Sequence, residues 1–133
     1  MSVYKIVLAD DHVLVRQGIK RIIEEYHQMK VIGEAGDGLK LLEIMGKVTP
    51  DLVILDISMP RLRGLEAAER IKQHYPGVKV LILSMHRSKE YLRQALASGV
   101  DGYMLKEDAD QALYSAIEAI RAGQTFVSPL LEE

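Results

Sequence analysis

Leu52-Val53-Ile54-Leu55-Asp56 is four apolar residues closed by a carboxylate. So short and unbroken a run fits a strand covered on both faces, with the acid at the end where the strand leaves the sheet. The same arrangement recurs outward along the chain. Lys5 to Ala9 runs into Asp10-Asp11, Val78 to Leu83 into Ser84, and Gly102 to Leu105 into Lys106. Four strand ends therefore offer an acid pair, an acid, a hydroxyl and an ammonium. Carboxylates are costly to desolvate and repel one another, so three of them at buried strand ends imply a cation or a reacting group that uses them. That set of groups can hold a divalent metal and a phosphoryl group together.

Strand signals near 5–9, 31–35, 52–55, 78–83 and 103–105 alternate with helical periodicity. Leu14, Gly18, Ile19, Ile22, Ile23 and Tyr26 recur at three-to-four spacing and predict one apolar helix face; Leu113, Ala116, Ile117 and Ile120 predict another. Turn residues at Gly36 to Gly38, Thr49-Pro50, Pro76-Gly77 and Ser98-Gly99 fall between the elements. Five strand–helix units predict an α/β fold with a doubly wound parallel sheet. In such sheets ligands sit beyond the carboxyl ends of the strands, where strand order reverses. Asp10, Asp11, Asp56, Ser84 and Lys106 would then converge on one crevice from distant parts of the sequence. No repeat, low-complexity tract or second domain is visible.

The chain of 133 residues is of ordinary single-domain size, and 48% hydrophobic content is enough for a core. Seventeen basic residues against nineteen acidic ones leave a net charge of -2, so the field on which non-specific DNA binding relies is missing and this segment is not expected to bind nucleic acid directly. The absence of cysteine excludes disulfides, thiolate metal sites and cysteine nucleophiles. No apolar stretch is long enough to span a bilayer, and Met1-Ser2-Val3-Tyr4-Lys5 lacks the regions of a signal peptide; no membrane contact is expected, and the cytoplasm is the expected compartment. His27 and His74 fall near helix ends, away from other ligands at metal spacing. His12 follows the acid pair at the expected mouth of the crevice, and His86 stands two residues after Ser84.

Taken together, Asp10-Asp11 after strand 1, Asp56-Ile57-Ser58-Met59-Pro60 after strand 3, Ser84 after strand 4 and Lys106 after strand 5 resemble the receiver domain of a two-component response regulator. The resemblance covers Tyr4 to Arg121. Finer features resemble the NarL/FixJ (LuxR-type) subfamily: Ala9-Asp10-Asp11-His12, Gly64-Leu65-Glu66, Asp101-Gly102-Tyr103-Met104-Leu105-Lys106 and Gly123-Gln124-Thr125-Phe126-Val127-Ser128-Pro129. It implies five parallel strands in the order 2-1-3-4-5 with five helices, the flavodoxin-like order known from the chemotaxis receiver.

The resemblance further implies a phosphorylation switch. Asp56 would accept a phosphoryl group from a sensor histidine kinase, with Mg²⁺ held by Asp11, Asp56 and the backbone carbonyl of Ser58 and, through water, by Asp10. Lys106 would neutralise charge on Asp56 and the phosphoryl group, and Ser84 would donate to a phosphoryl oxygen. Ser84 and Tyr103 would form the switch that reshapes the surface of helix 4, strand 5 and helix 5, while Ser58 and His86 would flank the approach of water and tune the lifetime of the phosphorylated state. Residues 1–123 would be the receiver and 124–133 the start of a linker to a helix-turn-helix output domain, with homodimers forming on phosphorylation. Pro60 keeps Met59 out of the helical region, and Gly64 is expected to take a positive φ where the loop turns back. Two positions depart from the family pattern. Leu62 replaces a common Met, and Glu107 replaces a common Pro, which leaves the geometry of the Lys106-Glu107 bond open.

Two other functions use a related topology. A phosphatase of the haloacid dehalogenase type needs an acid two positions after the nucleophile, where this chain has Ser58. A flavin binder needs a phosphate-cradling loop after strand 1, where Asp10-Asp11 would repel the phosphate.

Overall fold

The structure, a computed structural model, describes residues 3–131. Strands β1 (Tyr4–Ala9), β2 (Met29–Ala35), β3 (Leu52–Asp56), β4 (Lys79–Ser84) and β5 (Gly102–Leu105) alternate with helices α1 (Val13–Glu24), α2 (Gly38–Met45), α3 (Gly64–His74), α4 (Lys89–Ala97) and α5 (Ala109–Arg121), and β6 (Phe126–Val127) follows. The sheet is parallel throughout, in the order β2-β1-β3-β4-β5-β6.

Alternation along the strands divides the core between two layers. Val7, Val53, Leu55, Val80, Ile82 and Tyr103 point to the layer of α2, α3 and α4; Ile6, Leu8, Leu52, Ile54, Leu81 and Met104 point to that of α1 and α5. Both faces are covered, which is why these strands read as continuous apolar runs. Leu113, Ala116, Ile117 and Ile120 are buried on α5 as their spacing predicts. On α1 the expectation needs correction at Leu14, which is 83% exposed. The buried stripe is phased from Val15 through Ile19, Ile22 and Ile23, leaving Leu14 on the outer side of the first turn.

The expected five strands are six. Phe126–Val127 lies within the stretch read as a linker, and two residues are too few to show a period of two. These residues are held by backbone pairing. The Phe126 N–H donates to the Asp101 carbonyl at 3.1 Å, and the Ser128 N–H donates to that of Tyr103 at 3.1 Å. Gly102 makes the approach possible, since a Cβ there would lie 2.8 Å from methyl carbons of Ile120 and Leu81 and 3.3 Å from the Phe126 carbonyl oxygen. Ser128, fully buried, accepts the Leu105 N–H at 2.9 Å through its Oγ. Ser128→Ala leaves that donor buried and unpaired, and is expected to cost about 1–3 kcal/mol in urea unfolding.

Candidate functional site

The strand ends converge as the topology requires. Asp10 directly follows β1, Asp56 closes β3, Ser84 closes β4, and Lys106 begins the short 3₁₀ turn after β5. Asp10 and Asp56 are each 2% exposed. Between them lies Lys106, with Nζ 2.9 Å from Asp10 Oδ2 and 3.4 Å from Asp56 Oδ2. The ammonium therefore bridges both buried acids and stands closer to Asp10. Burial pushes the Asp56 carboxyl above its ordinary value; Lys106 pulls it back, the Asp10 carboxylate raises it further, and the Ser58 N–H at 3.3 Å lowers it.

Asp11 and His12 complete the cluster on the solvent side. Asp10, Asp11, His12 and Asp56 each present a ligand atom within 4.8 Å of the others. Asp10 Oδ2 and Asp56 Oδ2 are the oxygens turned to Lys106 Nζ, whereas the Asp11 carboxylate is partly exposed beside them. Hard carboxylate oxygens with lone pairs to spare are the donors a divalent cation of the Mg²⁺ class takes, so the residues fit such an ion.

The loops that carry these groups are held by two arginines that the sequence reading did not single out, Arg16 and Arg87. Arg16, one turn into α1, donates through Nη1 to the Asp10 carbonyl at 2.6 Å and through Nε to Glu34 Oε1 at 3.1 Å. It ties the acid-bearing loop to the end of β2. In sequence it is indistinguishable from a solvated helix arginine. Across the mouth, Arg87 makes a two-pronged pair with Glu107, Nε to Oε1 and Nη2 to Oε2 both at 3.1 Å. This pair holds the Arg87 guanidinium above and the Glu107 carboxyl below their ordinary values. Glu107 thus joins the loop after β4 to the turn that starts with Lys106. No peptide bond among the described residues is cis, Lys106-Glu107 included.

Ser84 is fully buried, but its hydroxyl is engaged by its own loop: Oγ accepts the His86 N–H at 2.9 Å. Tyr103 is fully buried behind it, with a hydroxyl that lies near Ser84 and has no well-directed partner; burial pushes the phenol above its ordinary value. Ser58 and His86 are exposed at the mouth, the His86 ring standing edge-on to Tyr91 at 5.8 Å between centroids.

Gly64 corrects the expected loop geometry. Its φ is not positive; among the described non-glycine residues only Arg61, at φ 68°, has one. The glycine is required by space. Its N–H donates to the Ile57 carbonyl at 3.1 Å, and a Cβ would overlap the Asp56 carbonyl oxygen and lie 2.7 Å from the Ile57 Cα. The start of α3 is thereby pressed against the segment that carries Asp56.

Residues 6–118 match the family profile described as the response regulator receiver domain. The chain is 38% identical over 125 residues to the transcriptional regulatory protein DegU of Brevibacillus brevis, covering 94% of this chain and 53% of that protein. It is 39% identical over 126 residues to the oxygen regulatory protein NreC of Staphylococcus carnosus, covering 94% and 58%. It therefore spans little more than half the length of these curated relatives. Among solved structures, RcsB of Salmonella typhimurium superposes with a TM-score of 0.92 at 28% identity, covering 98% of this chain and 66% of that one. A LuxR-family two-component response regulator from Aurantimonas sp. SI85-9A1 gives 0.91 at 36% identity, covering 98% and 93%. Sequence, fold and the convergence of acids and lysine at the strand ends agree: this chain belongs to the response regulator receiver domain family.

Proposed function

We propose that the chain is a phosphorylation-dependent switch in which Asp56 is the phosphoacceptor. The observation that carries this reading is the buried Asp10–Lys106–Asp56 bridge, which sets a carboxylate beside a fixed cation at the strand ends. A carboxylate oxygen of Asp56 attacks phosphorus of a phosphohistidine on a sensor kinase; the P–N bond breaks and the imidazole leaves with a proton. Asp11, Asp56 and the Ser58 carbonyl would hold Mg²⁺, with Asp10 acting through water, and the ion supplies charge neutralisation around the transferring group. Lys106 shifts its charge toward the phosphoryl oxygens, and Ser84 exchanges its loop contact for a donor bond to one of them. Movement of Ser84 changes the space beside Tyr103, and so the surface of α4, β5 and α5. The protein turns over no separate substrate; phosphotransfer and its own dephosphorylation are its only chemistry.

In the whole protein, residues 1–123 would serve as the receiver and 124–133 would lead, by way of β6, to a helix-turn-helix output domain that controls transcription. The greater length of the relatives supports this, as do their names as transcriptional regulators. Phosphorylation would promote a homodimer; two RcsB dimers have been solved bound to two parallel DNAs. No helix among the described residues is long and apolar enough to cross a membrane, in keeping with action in the cytoplasm.

Incubation with acetyl phosphate or phosphoramidate and Mg²⁺ is expected to add one phosphoryl group, read by intact-mass spectrometry, and chelation is expected to stop it. Labelling that persists without divalent metal overturns the role of Asp11.

Slow self-dephosphorylation is also expected. Ser58 is too short to present an amide to water, and His86 offers no carboxylate beside the attack path, so water is poorly positioned. A Ser58→Asn, His86→Glu double variant should lose phosphate about tenfold faster. An unchanged rate would show that these positions do not set it.

A further inference from the structure

Asp10 and Asp11 are aimed in different ways. Asp10 is held through its side chain, which meets Lys106 Nζ at 2.9 Å and accepts the His12 N–H at 2.8 Å. The Asp11 side chain is 35% exposed, and its ion-pair contact among the described residues is with the exposed His12 ring at 3.3 Å. Where the Asp11 carboxylate points is therefore set by its backbone. The peptide that enters Asp11 is fixed at its oxygen, because Arg16 Nη1 donates to the Asp10 carbonyl at 2.6 Å. On the other side of Asp10, its N–H donates to the Ala35 carbonyl at 3.0 Å, and Nη1 reaches that same carbonyl at 3.4 Å. One guanidinium nitrogen thus spans the ends of β1 and β2. Glu34 holds the guanidinium in turn, accepting from Arg16 Nε at 3.1 Å on one oxygen and from Lys20 Nζ at 3.3 Å on the other. The Arg16 side chain is only 19% exposed, so this is a fixed contact within the loop and not a solvated helix charge.

We infer that Arg16 is a positioning residue for the divalent cation: by fixing the Asp10–Asp11 peptide it aims the Asp11 carboxylate, and Glu34 keeps its charge from opposing the ion. The inference deepens the reading of the strand-end acids as a cation site and rests on it. A carboxylate on a free loop loses conformational entropy when an ion orders it; one whose backbone is already set loses less. Arg16 supplies that order from α1, a rigid element, with its own N–H donating to the His12 carbonyl at 2.9 Å. A guanidinium this near a cation site would repel the ion if it stood alone. Paired with Glu34, it adds a directed donor and little net field. Arg16 acts through Asp11; the groups that meet the phosphoryl group are others.

Metal binding and labelling, measured separately, test this. Wild type, Arg16→Ala, Arg16→Lys and Glu34→Gln would be titrated with Mg²⁺ by calorimetry, and the Mg²⁺ dependence of labelling by acetyl phosphate recorded for each. Melting followed by circular dichroism without divalent ions shows which variants are folded. Arg16→Ala should weaken Mg²⁺ about tenfold, the usual effect of removing a group that orients a metal ligand. Its half-saturating Mg²⁺ concentration for labelling should rise by the same factor, while the rate at saturating Mg²⁺ stays within about twofold, because Asp56 and Lys106 keep their contact. Arg16→Lys retains a cationic donor for the Asp10 carbonyl, and Lys20 still serves Glu34, so its Mg²⁺ affinity should return to within about threefold of wild type. Glu34→Gln should weaken Mg²⁺ about threefold by leaving the guanidinium uncompensated and less firmly held. Mg²⁺ affinity unchanged in a folded Arg16→Ala overturns the inference, and if that variant does not fold, unchanged affinity in Glu34→Gln does so. A rate at saturating Mg²⁺ that falls as far as the affinity, or an affinity that lysine does not recover, shows a general disturbance of the loop and overturns it too. Both results leave the cation site standing; a wild type that binds no Mg²⁺ removes the site itself and the inference with it.

Discussion

Asp56→Asn is expected to abolish phosphoryl uptake from acetyl phosphate in Mg²⁺, by more than about 1,000-fold, because an amide oxygen is a poor nucleophile and the variant keeps the shape of the site. Intact-mass spectrometry of the two proteins side by side reads the result, and equal labelling would remove Asp56 from its role. The same variant carries a second signature. Burial and the Asp10 carboxylate raise the Asp56 carboxyl above its ordinary value in the folded chain. Between the ordinary value and the raised one, the folded state binds more protons than the unfolded state, so stability falls as pH rises through that window. Above it the full penalty of a buried charge remains. In the absence of divalent cations, Asp56→Asn should therefore melt at a higher temperature than wild type at neutral pH. The difference should close as pH falls toward the ordinary carboxylate range. A gap that widens on acidification would contradict the direction of the shift.

Gly64→Ala is expected to cost about 3 kcal/mol or more in urea unfolding. The added methyl meets backbone rather than a side chain that can turn away: the Asp56 carbonyl oxygen and the Ile57 Cα, the latter 2.7 Å distant. Either α3 retreats, giving up the packing of Ala67, Ala68 and Ile71 in the core, or the Asp56 segment moves. Gly18→Ala is the control. Gly18 lies inside α1, a Cβ there meets nothing within 4 Å, and alanine should add up to about 1 kcal/mol through helix propensity. Equal effects at the two positions would show that crowding at Gly64 is relieved cheaply.

The sheet and the crevice were legible in the sequence because burial on both faces leaves an unbroken apolar run, and four of the five runs lead into an acid, a hydroxyl or an ammonium. Leu52 to Asp56 carried most of that signal. What escaped was set by space and by partners distant in sequence. Phe126–Val127 forms a strand only because Gly102 lets it close on β5. Arg16 acquires its role from the Asp10 carbonyl and Glu34, neither of which its own neighbourhood reveals. Leu14 fits a helical spacing that runs one residue out of phase with the buried stripe. Gly64 was rightly placed at a constrained turn, but the constraint is steric, and the left-handed residue of that loop is Arg61.

The strand order also has a consequence for how the chain acquires its structure. After β1, each new strand has its partner already made: β2 on one side, then β3, β4, β5 and β6 in turn on the other. The sheet can thus grow in the order of synthesis, with each step extending an existing edge. The two buried acids arrive with β1 and β3, whereas their ammonium arrives only after β5. A sheet of β1 to β4 alone would set Asp10 and Asp56 near each other without Lys106 between them, where water or protons would have to offset their repulsion. Lys106 thus brings its charge to the acids as β5 joins β4, before α5 and β6 complete the fold.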